Sequence, residues 1–484
     1  MIARYKLWTQ GRWVESKKIF EVHSPYTGEV VAQVDRAESS HLDTALETAG
    51  KTFLQTQALS RHIKSQLLSA IAVGIKERKN EFTHSIVYEA GKPFQLAEAE
   101  VGRAVTTFTV ASEEAKRFGG DVIPVDIDAA GRSYFPALSL FVPRGPVLAI
   151  APFNFPLNLV AHKVAPALAV GASVVIKPAS QTPGAATLLA EVFESACKQV
   201  SDKRETIPLG MLQVLHCSSE LANQAVSDPR ISVVSFTGSP QVGWSLQERA
   251  TRKKVALELG GNAAVIVHQD ADLKRAANRV CFGAFAYAGQ VCISVQRVYV
   301  HKDVYSNFEK LFLEEVSQVV VGDPTRKETL VGPLIDKGAC DRVVSWIEEA
   351  KNKGAKLLTR LERKGNVLSP VVLTDVPSHL PLYCEEAFGP VVILEPYEDF
   401  SKAIEAVNDS HYGLQAGLFT DSASLIREAF YRIEVGGLTI NEVPTYRADN
   451  MPYGGVKDSG LGREGVRFAM EEYSERRTLV SWQG

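Results

Sequence analysis

Read for its apolar and polar positions, the chain changes texture along its length. Up to about residue 120 the apolar residues recur at helical spacing. Leu67, Ile71, Val73 and Ile75, then Ile86 and Val87, stand among charged residues, as amphipathic helices require. Gly91, Lys92 and Pro93 punctuate that stretch. Residues 122–138 are polar and alternating, with Gly131 in a turn-like setting, and predict a β-hairpin that forms an arm rather than core. From Pro146 the texture changes again. Short apolar runs at 147–150, 173–176, 211–215 and 231–236 alternate with helical stretches such as 158–169 and 183–198. Short apolar strands separated by helices predict βαβ units around a buried parallel sheet. Such a sheet binds ligands beyond the carboxyl ends of its strands. That draws attention to Asn154, to Lys177, and to Thr237, Gly238 and Ser239.

A second α/β block begins near Glu258. It predicts strands at 263–267, 295–300, 371–372 and 391–393, and helices at 271–287, 305–319 and 340–353. No internal repeat and no low-complexity linker interrupts it, so the domains are expected to pack against one another. The length, 484 residues, suits about three domains.

Composition narrows the class. Lys plus Arg is 53 and Asp plus Glu is 56, a net charge of −3, which lacks the basic excess of a nucleic-acid binder. The longest apolar stretch runs from 164 to 176 and stops at Lys177, short of the roughly 20 residues a membrane span needs. The start, MIARYKLWTQ, has no apolar core of a signal peptide. The expectation is a cytoplasmic protein with no nucleic-acid or membrane partner. The six cysteines form no C-x-x-C pair, H-E-x-x-H is absent, and the ten histidines do not cluster, so no metal site is expected. Gly460 to Gly465 matches G-x-G-x-x-G. The stretch before it, MPYGGVKDS, is no buried strand, so the dinucleotide reading of that motif fails and a glycine-rich loop is expected.

The candidate chemistry lies in four short pieces. Cys292 follows Gly289, Gln290 and Val291 at the end of a predicted helix; a reactive thiolate needs partial exposure and an electropositive setting, which spacing alone does not establish. Glu258 closes the apolar stretch 255–257, where a sheet opens into a cleft. Asn154 sits in APFNFP, where two prolines and two aromatics would pin its amide as an oxyanion-hole donor requires. Gly238 and Ser239 stand between a strand and a helix, and helix N-termini collect phosphate oxygens. Taken singly, each has an ordinary structural explanation.

Together and in this order the pieces closely resemble the aldehyde dehydrogenase superfamily. The matching segments are EAGKP at 89–93, APFNFP at 151–156, VVIKPAS at 174–180, SFTGS at 235–239, LELGGN at 257–262, GQVCIS at 289–294, EEAFGPVV at 385–392 and MPYGGVKDSGLGREG at 451–465. The resemblance spans nearly the whole chain and points to the lactaldehyde, non-phosphorylating glyceraldehyde-3-phosphate and semialdehyde dehydrogenase branches.

The resemblance implies an α/β fold with a Rossmann-like cofactor domain at 1–121 and 144–257. It implies an α/β catalytic domain at 258–459, and an oligomerisation arm and tail at 122–143 and 460–484. Cys292 would be the nucleophile, Glu258 the general base, and Asn154 with the Cys292 amide the oxyanion hole. Lys177 would reach the adenosine ribose of NAD or NADP, Gly238 and Ser239 the pyrophosphate, Glu386 and Phe388 the nicotinamide ribose. Ser180 stands where many NAD-preferring relatives carry a glutamate, so a 2′-phosphate meets no repulsion there and either cofactor is admitted. Relatives that acylate coenzyme A usually lack a glutamate at the position of Glu258, so hydrolysis to a carboxylic acid is favoured over that alternative; a cofactor-independent thiol esterase using Cys292 and Glu258 is the other. Arg103 and Arg447 look like the anion-binding arginines of relatives acting on small phosphorylated aldehydes, and His162 could add a polar contact. Val291 departs from that pattern, because phosphate-handling relatives often place an arginine there. The expected ligand is a small polar or anionic aldehyde, and the expected assembly a homo-oligomer, dimer or tetramer.

Overall fold

The computed structural model describes residues 2–483. Two large sheets meet end to end around one cavity. The first has eight strands, in spatial order Gly460–Leu461, Lys254–Glu258, Val233–Thr237, Val147–Ile150, Val174–Lys177, Leu212–Val214, Leu7–Thr9 and Arg12–Val14. The five from Lys254–Glu258 to Leu212–Val214 are parallel. Numbered along the chain they lie in the order 5-4-1-2-3, so the winding reverses between Val147–Ile150 and Val233–Thr237, which pair through Ser235 with Ala149 and Phe236 with Ile150. Ligands bind at such a switch point, outside the carboxyl ends of the strands. The strands Val147–Ile150 and Val233–Thr237 are buried at every position, which is why they read as apolar runs rather than alternations.

The second sheet orders Lys356–Leu357, Val371–Thr374, Val391–Tyr397, Val295–His301, Ala263–Val267, Gln415–Phe419 and Gly437–Ile440. Only its edge pair, Lys356–Leu357 with Val371–Thr374, is antiparallel. The strand Ala263–Val267 begins five residues after Glu258, and Val295–His301 begins three residues after Cys292. The amino ends of these strands therefore face the carboxyl ends of the first sheet.

Two helices carry the site from below. In Phe94–Arg117 the residues Ala97, Val101, Ala104, Phe108, Ala111 and Ala115 are buried at alternating spacings of four and three, a single apolar stripe. Asn158–Val170 is buried on all sides. The carboxylate of Glu100, on the first helix, accepts hydrogen bonds from the backbone N–H groups of Leu157 and Asn158 at 2.9 and 3.1 Å and so caps the second.

The helical texture expected up to residue 120 holds only from Ser39 to Arg117, as four helices. Residues 3–35 instead form five short strands. Two of them, Leu7–Thr9 and Arg12–Val14, are joined by Gln10 and Gly11, both at positive φ, a two-residue hairpin turn whose local twist overrides any helical spacing upstream. Within 122–138 the extended backbone is confined to the ends. Asp121–Ile123 pairs with Ala137–Pro143, and Ser474–Leu479 adds a third strand to the other side of the latter. The G-x-G-x-x-G stretch lies at the edge of the first sheet, where Gly460 pairs with Glu258 and Leu461 with Leu257. Among the described residues no helix is long and apolar enough to cross a membrane, and no group of three or more His, Cys, Asp or Glu is placed to hold a metal. All six cysteines are free.

Candidate active site

At the switch point the chain after Val147–Ile150 turns through Pro152, Phe153 and Asn154, and the chain after Val233–Thr237 turns through Gly238 and Ser239 into the helix Pro240–Ala250. These two turns, Glu258, the loop bearing Cys292, and the segment 445–453 enclose a cavity of about 430 Å³. Arg103, Asn154, Gly238, Ser239, Glu258, Cys292, Glu386, Phe388, Arg447 and Tyr453 all line it.

The Cys292 loop is held in an unusual backbone. Tyr287, Ala288 and Gly289 all have positive φ, and a Cβ on Gly289 would lie 2.1 Å from the carbonyl oxygen of Gly389. Glycine is required there by both conformation and space. The Sγ of Cys292 lies 3.2 Å from the Oη of Tyr453. Among the described residues the Cys292 backbone N–H donates to no protein acceptor. Asn154 is nine-tenths or more buried. Its Nδ2 donates to the Gln290 carbonyl at 3.0 Å, leaving the second N–H of the amide for another acceptor. Its own carbonyl accepts from the Nζ of Lys92 at 2.9 Å, and Lys92 is paired with Glu100 at 2.6 Å.

Behind the cavity runs a buried chain of charges. Glu464 accepts from Lys163 at 3.0 Å and from Arg447 at 3.1 Å. Asp449 accepts from Arg103 at 2.8 Å, His162 Nε2 at 2.9 Å and Asn158 Nδ2 at 3.2 Å. Burial alone would raise Glu464, but Lys163 and Arg447 hold it ionised below the usual carboxylate range. Burial raises Glu258 well above that range, and the negative charge of Glu464 beside it raises it further. Among the described residues Glu258 Oε2 has no hydrogen-bond partner. Burial likewise lifts Glu386 to about 7 against the pull of the Gly261 N–H, which it accepts at 3.0 Å. Burial pushes the Cys292 thiol up to about 12. The Tyr453 hydrogen bond and Arg447 oppose the rise, and Glu386 and Glu258 add to it.

The cavity thus brings together Cys292, Glu258, Asn154, Gly238, Ser239, Glu386, Phe388, Arg103 and Arg447 of the residues singled out in the sequence. Lys177 and Ser180 lie outside its lining, at and just beyond the carboxyl end of the neighbouring strand Val174–Lys177. Lys177 is largely buried, its Nζ only 3.3 Å from the Pro178 carbonyl, and Ser180 is exposed. The expectation that His162 touches substrate is corrected. Its side chain is 0% exposed, faces Asp449 rather than the cavity, and is held neutral, at about 4, first by burial and then by Arg447. The two arginines are not free forks either. Arg103 spends Nε and Nη2 on Asp449. Arg447 spends Nη2 on Glu464, while among the described residues its buried Nε has no partner. Sequence reasoning missed Asp449, Glu464, Lys163 and Tyr453. Glu464 and Tyr453 stand inside the quoted segment 451–465, but only the fold reveals that the segment returns beside Glu258.

The aldehyde dehydrogenase family model matches residues 13–479, and the chain belongs to that family. It is 40% identical over 480 residues to 3-sulfolactaldehyde dehydrogenase of Priestia aryabhattai, covering 99% of this chain and 98% of that protein. Among solved structures it resembles aldehyde dehydrogenase 21 of Physcomitrella patens in complex with the product succinate, with TM-score 0.95 and 39% identity over 100% of this chain and 99% of that one. It also resembles the NADP-dependent glyceraldehyde-3-phosphate dehydrogenase of Bacillus halodurans in complex with NADP, with TM-score 0.94 and 33% identity over 100% of both chains. The protein is accordingly an NAD(P)-dependent aldehyde dehydrogenase.

Proposed function

We propose that this enzyme oxidises a small aldehyde carrying an acidic group to its carboxylic acid, through a covalent adduct on Cys292. The observation that carries the reading is the convergence of Cys292 Sγ, the spare amide N–H of Asn154, Glu258 and two arginines on one cavity of about 430 Å³.

The residues present suit a dinucleotide. Ser239 caps the helix Pro240–Ala250 without spending its side chain on the cap, which leaves hydroxyl and helix N–H groups for the pyrophosphate beside Gly238. Lys177 and Ser180 would hold the adenosine ribose, and uncharged Ser180 tolerates a 2′-phosphate. Glu386 and Phe388 would hold the nicotinamide ribose. When bound, NAD or NADP supplies the acceptor for the aldehyde's hydride.

The chain's own part is as follows. The Cys292 thiolate adds to the aldehyde carbon, and the carbonyl oxygen takes the negative charge. Asn154 and the Cys292 N–H donate to that oxygen; a single such donor is worth about 2.7–4 kcal/mol in acyl transfer. After oxidation the acyl group remains as a thioester on Cys292. Glu258 takes a proton from water, which attacks the thioester and releases the acid. Its raised affinity for a proton makes it a stronger base than an ordinary carboxylate.

The acidic-group preference rests on Arg103 and Arg447 both lining the cavity, and on the donors Arg103 retains beyond the Nε and Nη2 it gives to Asp449. The relatives named for sulfolactaldehyde and for the succinate complex point the same way. Assembly is proposed through the sheet of Asp121–Ile123, Ala137–Pro143 and Ser474–Leu479, which leaves two open edges and exposes Leu138, Leu140 and Leu479.

A panel of short aldehydes bearing sulfonate, phosphate, carboxylate or no charge, assayed with NAD and with NADP by reduced-cofactor absorbance, tests the reading. Turnover of the charged aldehydes that disappears in Cys292→Ala is the expected result. Turnover retained in Cys292→Ala, or confined to uncharged aldehydes, contradicts it.

A further inference from the structure

We propose that Tyr453 is a further catalytic residue, whose phenol donates a hydrogen bond to the Cys292 thiolate and raises the fraction of sulfur that is ionised at neutral pH. The proposal rests on Cys292 being the nucleophile.

The charged surroundings of the sulfur make such a donor necessary. From the strand Lys254–Glu258 comes Glu258, from the loop before Val391–Tyr397 comes Glu386, and both disfavour a second negative charge. From the segment after Gly437–Ile440 comes Arg447, which favours one, but its charge is shared with Glu464 at 3.1 Å. The remaining contact is Tyr453 Oη, 3.2 Å from Sγ. While the sulfur carries its proton either atom can donate. Once it is ionised only the phenol has a proton to give.

The phenol is built to stay in that position. Its residue is 3% exposed, and the ring packs with Ile293 and Leu414. Its backbone is bridged to Glu464 in both directions, at 3.0 and 2.7 Å. The Oη makes no other hydrogen bond among the described residues. The guanidinium of Arg447 lies 3.8 Å from the centre of the ring. A cation over the face draws electron density from the ring and makes the phenol a stronger donor. Burial keeps the phenol protonated, so it donates rather than ionises. Tyr453 keeps its proton throughout; the proton lost by sulfur passes to water, and no bond to Tyr453 forms or breaks.

The size of the effect follows from thiol chemistry. A donor that lowers the thiol's pKa by one unit raises the thiolate tenfold, and lower basicity returns about a factor of three in reactivity, for a net gain of about threefold per unit. Hydrogen bonds to charged groups sit at or above one unit.

The test is alkylation of the protein by iodoacetamide, without cofactor, as a function of pH, with Cys292→Ala as the blank for the other five cysteines. Tyr453→Phe, which keeps the ring, is expected to alkylate about threefold more slowly or worse at every pH below the thiol's pKa. A second protein carrying 3-fluorotyrosine at position 453, a stronger donor with the same shape, is expected to move the thiol's pKa the opposite way, and it decides the matter if the phenylalanine variant does not fold. Single-turnover kinetics should show slower acylation in Tyr453→Phe with an unchanged hydrolysis step. Alkylation identical to wild type in both variants overturns the proposal while leaving Cys292 as nucleophile. Full turnover by Cys292→Ala overturns the nucleophile assignment instead.

Discussion

The Nζ of Lys92 lies 2.9 Å from the backbone carbonyl oxygen of Asn154, so a cation 62 residues upstream fixes the loop that carries an amide lining the same cavity as Cys292. Both partners are buried, and the same ammonium is neutralised by Glu100, whose other oxygen caps the helix that follows Asn154. The lysine also sits 3.4 Å from the centre of the Phe155 ring.

Removing that cation should damage both fold and rate. Lys92→Met leaves the Glu100 carboxylate buried without its counter-ion, a type of loss that costs about 3–5 kcal/mol. The thermal midpoint is expected to fall. Displacement of Asn154 by about an ångström is expected to lower kcat by roughly a hundredfold. Differential scanning fluorimetry and steady-state kinetics on the same preparation check both. An unchanged kcat would separate the lysine from the amide it holds.

Asn154 itself is expected to act only on the charged state. Asn154→Ala should lower kcat by about 10²–10³-fold with little change in binding of the aldehyde, as removal of one oxyanion donor does. A comparable loss expressed in KM alone would place the amide against the substrate's ground state instead.

Asp449 gathers Arg103, His162 and Asn158 on one carboxylate. Burial would raise it, but hydrogen bonding from His162 and the charge of Arg103 hold it ionised, well below the ordinary carboxylate range. Asp449→Asn releases Arg103 from its counter-charge and from its fixed geometry. KM for anionic aldehydes is expected to change by about threefold or more relative to KM for a neutral aldehyde of similar size, a difference of at least about 0.6 kcal/mol. Equal changes for both would remove the arginine from substrate recognition.

The hydrolysis step should rise with pH. A general base works when deprotonated, and Glu258 binds its proton more tightly than an ordinary carboxylate because it is buried and lies beside ionised Glu464. Below its raised pKa the rate of thioester hydrolysis falls tenfold per pH unit, and above it the rate levels. Neutralising the neighbour, as in Glu464→Gln, lowers the pKa of Glu258 and is expected to move the limb to lower pH. Single-turnover release of product over pH 5–9 measures the limb in both proteins. A limb that stays in place, or moves upward, contradicts the assigned coupling.

Much of this site was legible before the fold. The strands Val147–Ile150 and Ala263–Val267 coincide with apolar runs, because strands buried on both faces have no polar position to blur their ends. Asn154, Gly238 and Ser239 followed from lying just past such runs. Cys292 and Glu386 did not, because nothing in their neighbours distinguishes them from ordinary loop residues; the family resemblance singled them out. Asp449 and Tyr453 escaped because their partners, Arg103 and Cys292, are distant in sequence and meet them only when the segment 445–465 folds back along the edge of the first sheet. His162 was misjudged for the opposite reason. A polar residue on a wholly buried helix reads as a ligand contact until its acidic partner is known.

The central claim is a covalent acyl group on one sulfur. Rapid quench of Glu258→Gln with NAD(P) and a charged aldehyde, followed by peptide mass spectrometry, measures it directly. The account predicts one equivalent of thioester on the peptide containing Cys292, formed at close to the wild-type rate and decaying about 10²–10⁴-fold more slowly. An acyl group on another residue, or reduced cofactor formed with none on Cys292, would contradict it.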